Sequence, residues 1–477
     1  MPLVINDIQV EHFSGLYNIH VLTPKNNDLP IILHLGEEHK KIKKPCKTEP
    51  NSMDLPNFLT QLNLLASEFR VEMYSENFLN YDLLTLANKK KDLTIEEWED
   101  VLKKIARADG DFKGCLGICN NNKNTTSCYY KDLKINHKDI YKEKCEYPNI
   151  VWQFSDARKT FFSRHHDVKY NVENTNDVFL DKVVWIIRQL LSIFDDYYKN
   201  YRKLYNHSEE LDLNTLEKKY EYAKTIFADD DYVDLPVLID SMQLIVDYHE
   251  NPERAAETII NVPAIKKQFR KQNIFTDFEE FKHHVKEYIF YVIHTPVSNE
   301  NSVKIVSCYL EFMKASILFL NDNSLHNFEQ RLLPALQDLL LCKPLLADGT
   351  FNDKGIPVHL MIAPSSIFVD LYFVLRILKP QKKDFVCNLA GAEHTNNITY
   401  FLTHILRLYN IDTNSNTRKD DDRKQCLPIP FTVNLNNVLK EKKRSRSKSS
   451  SSSKKGGRKK NTRKKKNPSK SIISFFQ

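Results

Sequence analysis

The chain has 477 residues, 41% hydrophobic and 11% aromatic, enough to bury a large core and too apolar for a wholly disordered protein. Its formal charge of +7 averages two unlike parts: Lys440 to Gln477 holds sixteen Lys/Arg against one Glu, a local +15, which leaves the remainder at −8. The start, MPLVINDIQVEHFSG, lacks the basic and apolar regions of a secretory signal, and the most apolar window, VFLDKVVWIIRQLLSIF, carries Asp181, Lys182 and Arg188, so it reads as a buried amphipathic helix rather than a bilayer span. The expectation is a soluble intracellular protein without membrane contact.

In chain order, residues 1–175 form the N-terminal part of an α/β core, with strands at IILHLGEEH, FRVEMYSEN (Phe69 to Asn77) and NIVWQFSDAR (Asn149 to Arg158). The Gly- and Asn-rich run from Ala108 to Cys128 reads as a surface loop. Cys115, Cys119, Cys128 and Cys145 lack the two close pairs of a zinc site, and reduced, unliganded thiols are expected. Residues 176–345 place apolar residues at three- and four-residue spacing and form a large helical elaboration in the middle of the chain. Residues 346–435 return to helix–strand–helix order, the style of a mainly parallel sheet with flanking helices. From 436 to 477 the Ser/Lys tract is too polar to offset its chain entropy and reads as a disordered basic tail.

Two apolar strands, LPIILHLGEEH and FVCNLAGAEH, close on Gly-x-Glu-His at Gly36–His39 and Gly391–His394. Glycine there permits positive φ or close approach by another group, and the carboxyl ends of parallel strands are where ligands gather. On an extended segment Glu37 and His39 share a face. A carboxylate beside an imidazole orients a general base, stabilises an imidazolium or holds a metal; a solvated surface turn is the plain alternative. Two copies far apart in sequence point to one shared site.

These residues resemble the erythromycin-esterase/ChaN-like superfamily, related to TraB/Tiki proteins, and are more similar to its members from large DNA viruses. HLGEEH is similar to the family's L-G-E-x-H strand, and FRVEMYSEN to the following acidic strand, matched by Glu72. CEYPNIVWQFSDAR is similar to C-x-x-P-N-x-R-x-H-x-x-D-x-R, and FVDLYFVLRILK running into LAGAEHTNNITYFL to D-x-Y-x-x-x-R followed by G-x-x-H. Val151 and Gln153 replace that pattern's Arg and His, leaving Asp156 and Arg158. The downstream Arg164, His165 and His166 either supply the missing function or form a solvated loop.

The resemblance implies an α/β hydrolase of ester or peptide bonds acting on a small-molecule or peptide substrate. It implies His39 as base or metal ligand, Glu37 as its orienter or as the activator of water, Glu72 as second acidic group and His394 as the opposing imidazole. Asp156 and Arg158 would shape the rim, Arg158 holding an anion. If a divalent metal is the cofactor, its ligands would be His39, Glu72 and His394. Tyr372 and Arg376, at i and i+4 on one helix, read as packing.

A rival reading is a catalytically degraded DNA- or replication-associated interaction protein. Arg444, Arg446, Lys454, Lys455, Arg458, Lys459, Lys460, Arg463, Lys464, Lys465 and Lys466 would bind nucleic acid by counterion release or serve as a nuclear localisation signal, unless they only solubilise. The last residues place Ile472, Phe475 and Phe476 in a pattern resembling the PIP box that plugs a sliding clamp, with Ser469 where its glutamine belongs. The expected location is the cytoplasm or nucleus of a host cell, or a virion.

Overall fold

A pleated strand buried on both faces must be apolar almost throughout, and β5 (Ile31–Glu37) and β9 (Phe385–Gly391) are buried at every position. They pair in parallel at the centre of a six-stranded sheet ordered β10-β4-β5-β9-β7-β8. β7 (Val71–Phe78) and β8 (Val151–Asp156) continue the parallel half, while β4 (Asn18–Pro24) and β10 (Tyr409–Asn416) add an antiparallel edge. The computed structural model describes residues 3–37, 46, 49–78, 147, 149–156, 218, 220–221, 223–224, 235–294, 300–342, 358–379, 383–416, 426–429 and 433–452. It is an α/β architecture with a mixed sheet.

Alternation along the strands builds two cores. On the first face Leu33, Leu35, Val71, Met73, Cys387 and Leu389 pack against α1 (Leu55–Leu65). That helix starts where Asp54 accepts from the Asn57 amide at 2.9 Å, and it buries Leu55, Phe58, Leu59, Leu62 and Leu65 at helical spacing. On the second face Leu22, Ile32, Tyr74 and Val386 meet α2 (Leu235–Glu250), α3 (Pro252–Asn261), α4 (Pro263–Phe269) and α5 (Phe278–His294). α6 (Glu300–Asn321) and α7 (Leu333–Cys342) extend this helical region. α8 (Val358–Ile377) lies on the same face and leads into β9, which α9 (Ala392–Tyr400) follows directly. The middle helices α2 to α5 share this second core with α8 and α9.

The two ends of the described chain meet. β1 (Leu3–Ile5) pairs in parallel with β12 (Val433–Asn434) and antiparallel with β2 (Ile8–Val10). A third sheet sets β3 (His12–Ser14) between β6 (Ser52–Met53) and β11 (Cys426–Pro428). It brings Cys46 and Cys426 together as a disulfide with Cα atoms 5.2 Å apart. The bond joins positions 380 residues apart, a proximity created by β3 and absent from the cysteine spacing. Cys115, Cys119, Cys128 and Cys145 lie outside the described residues.

The tail boundary also moves. Residues expected to be disordered from 436 onward begin instead as α10 (Leu435–Ser452). Leu435 and Leu439, one turn apart, are buried in the first core, and the Lys442 ammonium donates to the Leu29 carbonyl. This apolar first stretch offsets the entropy that composition alone charged against the whole tract. Residues 453–477, with Lys454 to Lys466 and Ile472, Phe475 and Phe476, lie outside the described residues. No helix among the described residues is long and apolar enough to cross a membrane.

Gly36 tests the packing around the β5 end. A Cβ there would overlap Asn18 Oδ1 and stand 2.6 Å from Thr395 Oγ1. Gly36→Ala is expected to destabilise the protein by about 1–3 kcal/mol in urea unfolding, the usual cost of overpacking. Unaltered stability would show that α9 is not pressed against β5 at this point.

Candidate functional site at the carboxyl ends of the parallel strands

The register places Glu37 beside Gly391, so β5 and β9 end together. The chain leaving β5 goes on to α1 on the first face, whereas β9 feeds α9 on the second. Neighbouring parallel strands whose connections diverge to opposite faces leave a crevice at their carboxyl ends. Gly36 and Glu37 meet the start of the second stretch at this switch point. Gly391 caps α9 with φ −54°, so Glu393 and His394 lie in a helical turn rather than on a strand. Among the described residues the positive-φ glycine is Gly15, so neither site glycine is needed for its turn. Gly36 instead serves the close approach of α9.

Asn18, beside Gly36 on β4, secures that helix start. Its Nδ2 donates to the Ala392 carbonyl and to Asn396 Oδ1, both at 3.0 Å, and its Oδ1 accepts from Thr395 Oγ1 at 2.7 Å. His394 is thereby held over the second face, 8% exposed, with Nδ1 2.6 Å from Asp370 Oδ1 on α8. A carboxylate only accepts, so a neutral His394 carries its proton on Nδ1 and leaves Nε2 basic. The other oxygen of Asp370 accepts from Tyr288 Oη of α5 at 2.6 Å. Burial first, and then Asp370, push the Tyr288 phenol well above its ordinary range, so it remains a donor.

The predicted residues separate into groups. Glu37 is 2% exposed at the strand end. It follows Leu33 and Leu35 on the first face, while Gly36 faces Thr395 on the second. Asp156 closes β8 at the same edge of the sheet. Glu72 does not join them. Its row contains Val386 and Ile32, five residues short of Glu37, about 16 Å at strand rise and on the opposite face. Its carboxylate is occupied by Lys383 Nζ at 3.1 Å and Tyr74 Oη at 3.0 Å. Gly36, which marks the level of α9's first turn, lies four residues beyond Ile32, about 13 Å. Glu72 and His394 therefore do not fit one divalent ion, whose ligands stand about 2 Å from it. Among the described residues no group of three or more His, Cys, Asp or Glu is arranged to hold a metal. His39, Arg158 and Arg164 to His166 lie outside the described residues.

Sequence reading missed Asp370 and Tyr288. Asp370 stood inside the quoted motif D-x-Y-x-x-x-R, but its partner is 24 positions away, across β9. Tyr288 lies 82 positions from Asp370 and carries no motif at all. Tyr372 and Arg376 do share a helix face, with Arg376 Nη1 3.4 Å from Tyr372 Oη. Arg376 also donates to Gln153, which therefore belongs to a structural contact on β8.

Between the two groups runs a polar row: His20, His34, Asn388, Tyr74 and Gln153 are register partners on five adjacent strands. Asn388 Nδ2 lies 3.0 Å from His34 Nδ1, and the Phe373 ring packs over both His34 and Tyr74. Burial, and then the nearby His20, push the His34 imidazole well below its ordinary range, so it stays neutral in the folded protein. The chain matches no known family model, no curated protein and no solved structure.

His34 makes stability depend on pH. Below its unfolded value of about 6.5 the unfolded chain takes up a proton that the folded chain refuses, so stability present above that pH is lost as pH falls. The expected contribution is a slope approaching about 1.4 kcal/mol per pH unit. Urea unfolding of the parent and of His34→Asn between pH 7.5 and 5 reads it, and equal slopes would exclude His34 as the source.

Proposed function

We propose that the chain is a hydrolase of ester or peptide bonds in which His394 is the general base. The observation that carries this reading is the 2.6 Å contact between His394 Nδ1 and the buried Asp370 carboxylate. It lies at the switch point where α/β folds gather substrates. His394 Nε2 takes a proton from water as its oxygen attacks the acyl carbon. The imidazolium formed is stabilised by Asp370, whose second oxygen Tyr288 holds in place. His394 then returns the proton to the leaving oxygen or nitrogen as the acyl bond breaks. Glu37 ends the adjacent strand, and the resemblance assigns His39, two positions further along the sequence, to the same site. Arg158 is carried over as the residue that holds the developing oxyanion.

The loss of an imidazole at Gln153 does not argue against this chemistry. Gln153 bonds Arg376, six residues along α8 from Asp370, about 9 Å at helical rise. The departure from the family pattern is therefore remote from the His394–Asp370 pair.

A screen of p-nitrophenyl acetate and a peptide panel on the full chain tests the reading. Asp370→Asn and His394→Ala are each expected to lower kcat/KM by about 10²–10⁴, with folding checked by circular dichroism. Hydrolysis that both folded variants retain in full would remove His394 from the reaction.

A second reading concerns the basic end, as a segment that binds nucleic acid. It is supported by the anchoring of α10, from which Arg444 projects in exposed form and along which Arg446 follows. Beyond Ser452 the cationic residues thus start from a fixed point on the body. Removing residues 453–477 spares the buried turns of α10 and is expected to lower the salt at which the protein elutes from immobilised DNA. Elution at unchanged salt would assign the tail another role, such as clamp binding through Ile472, Phe475 and Phe476.

A further inference from the structure

α9 leads away from the candidate site into a ladder of stacked rings that the hydrolytic reading does not use. The helix runs on into a π-helical turn, Phe401–Ile405, closed where the Leu406 amide donates to the Phe401 carbonyl at 2.8 Å. Such turns are rare and are frequent at functional sites. Tyr291 of α5, Tyr400 and His404 stack in that order, their centroids 3.5 and 4.6 Å apart and their planes 5° and 9° from parallel. The Thr403 hydroxyl fixes the outermost ring. Its one hydrogen goes to the Thr399 carbonyl at 2.7 Å, so it accepts from His404 Nδ1 at 2.8 Å. Tyr291 and Tyr400 are half-buried and His404 is exposed. The outer face of His404 meets no further ring among the described residues.

Cations border that exposed ring. Arg407 ends the helical stretch with φ 53°, a left-handed conformation usually left to glycine or asparagine, and its Nε donates to the His404 carbonyl at 3.3 Å. The position disfavours a residue with a Cβ, and capping one carbonyl engages only one of the N–H donors of this exposed side chain. The next residue, Leu408, accepts from the Lys25 amide at 2.9 Å, which brings a second exposed cation to the same place. Four residues on, at most about 14 Å of chain, the Leu29 carbonyl accepts from Lys442 of α10. Asp28, exposed, is the carboxylate of that turn, and Lys443 and Arg444 are exposed on α10 beyond it. A line of cations therefore joins the ring ladder to the anchored basic helix. We infer that the ladder is a stacking platform for the bases of single-stranded nucleic acid, whose phosphates follow Arg407, Lys25 and α10. An unstacked base continues the ladder on His404 through its flat π face, whereas a duplex keeps its bases covered by one another. The inference rests on the nucleic-acid reading of the basic end and adds to it a contact with bases.

Fluorescence anisotropy of the full chain at fixed salt tests it, comparing a thymidine oligonucleotide with an abasic strand of equal length. The cations meet the same phosphates in both strands, so the difference between them reports the bases. The thymidine strand is expected to bind about tenfold more tightly, the scale of one stacked base. His404→Ala should remove most of that preference while leaving the affinity for the abasic strand unchanged, and His404→Phe should retain the preference. His404 is exposed, so neither variant disturbs a core. Deleting residues 453–477 should weaken both strands alike and keep the preference, which separates a failure of the tail reading from a failure of this one. Equal affinity of the parent for the two strands, a preference that survives His404→Ala in full, or one lost with the tail would overturn the inference.

Discussion

The register of the parallel strands governs the rest of this molecule, and the buried row His20–His34–Asn388–Tyr74–Gln153 is what makes a slip costly. A one-residue shift of β5 or β9 would turn His34 or Asn388 to the first face, against Phe58, Leu59 and Leu62 of α1. There each would lose its partner in an apolar surrounding, at a cost of the order of 1–3 kcal/mol per unpaired group. Apolar strands buried on both faces carry little register information, because one β-branched or Leu position resembles the next. The polar row supplies what they lack.

Register then sets the positions of both charged clusters. It aligns Glu37 with Gly391, so β9 hands the chain to α9 where β4 presents Asn18 to catch it. It also sets Glu72 at the other end of the sheet beside Lys383, where a buried ion pair is tolerated because each partner has further hydrogen bonds. α8 spans the two ends, offering Asp370 to His394 and Arg376 to Gln153, with Phe373 packed over the row between them. One helix on one registered sheet thus serves two chemically distinct places. The acidic residue expected at the first belongs to the second.

Much of the α/β architecture was legible because hydrophobic periodicity is a local property. The strands around His34, Tyr74 and Asn388 and the helices from Leu235 to Cys342 each display their burial in their own spacing. Glu72 was misplaced because a sequence motif tells which strand carries an acidic residue but not which row of the sheet it occupies. Its position two residues into β7, rather than at the end, decided its partner. The start of the tail was misplaced because composition averages over a window. Leu435 and Leu439 are few enough to vanish in that average, yet one turn apart they suffice to dock a helix.

By itself, the sequence determined the central strands, the helical character of the middle of the chain, and the recurrence of glycine, carboxylate and imidazole after two of those strands. Those features follow from side-chain volume, polarity and backbone freedom over a few residues. Only the tertiary structure decided the partners, joining His394 to Asp370 and Tyr288, Glu72 to Lys383, and Cys46 to Cys426. Each pairing depends on strand order and register, which are set by how whole faces pack and cannot be read from any one segment.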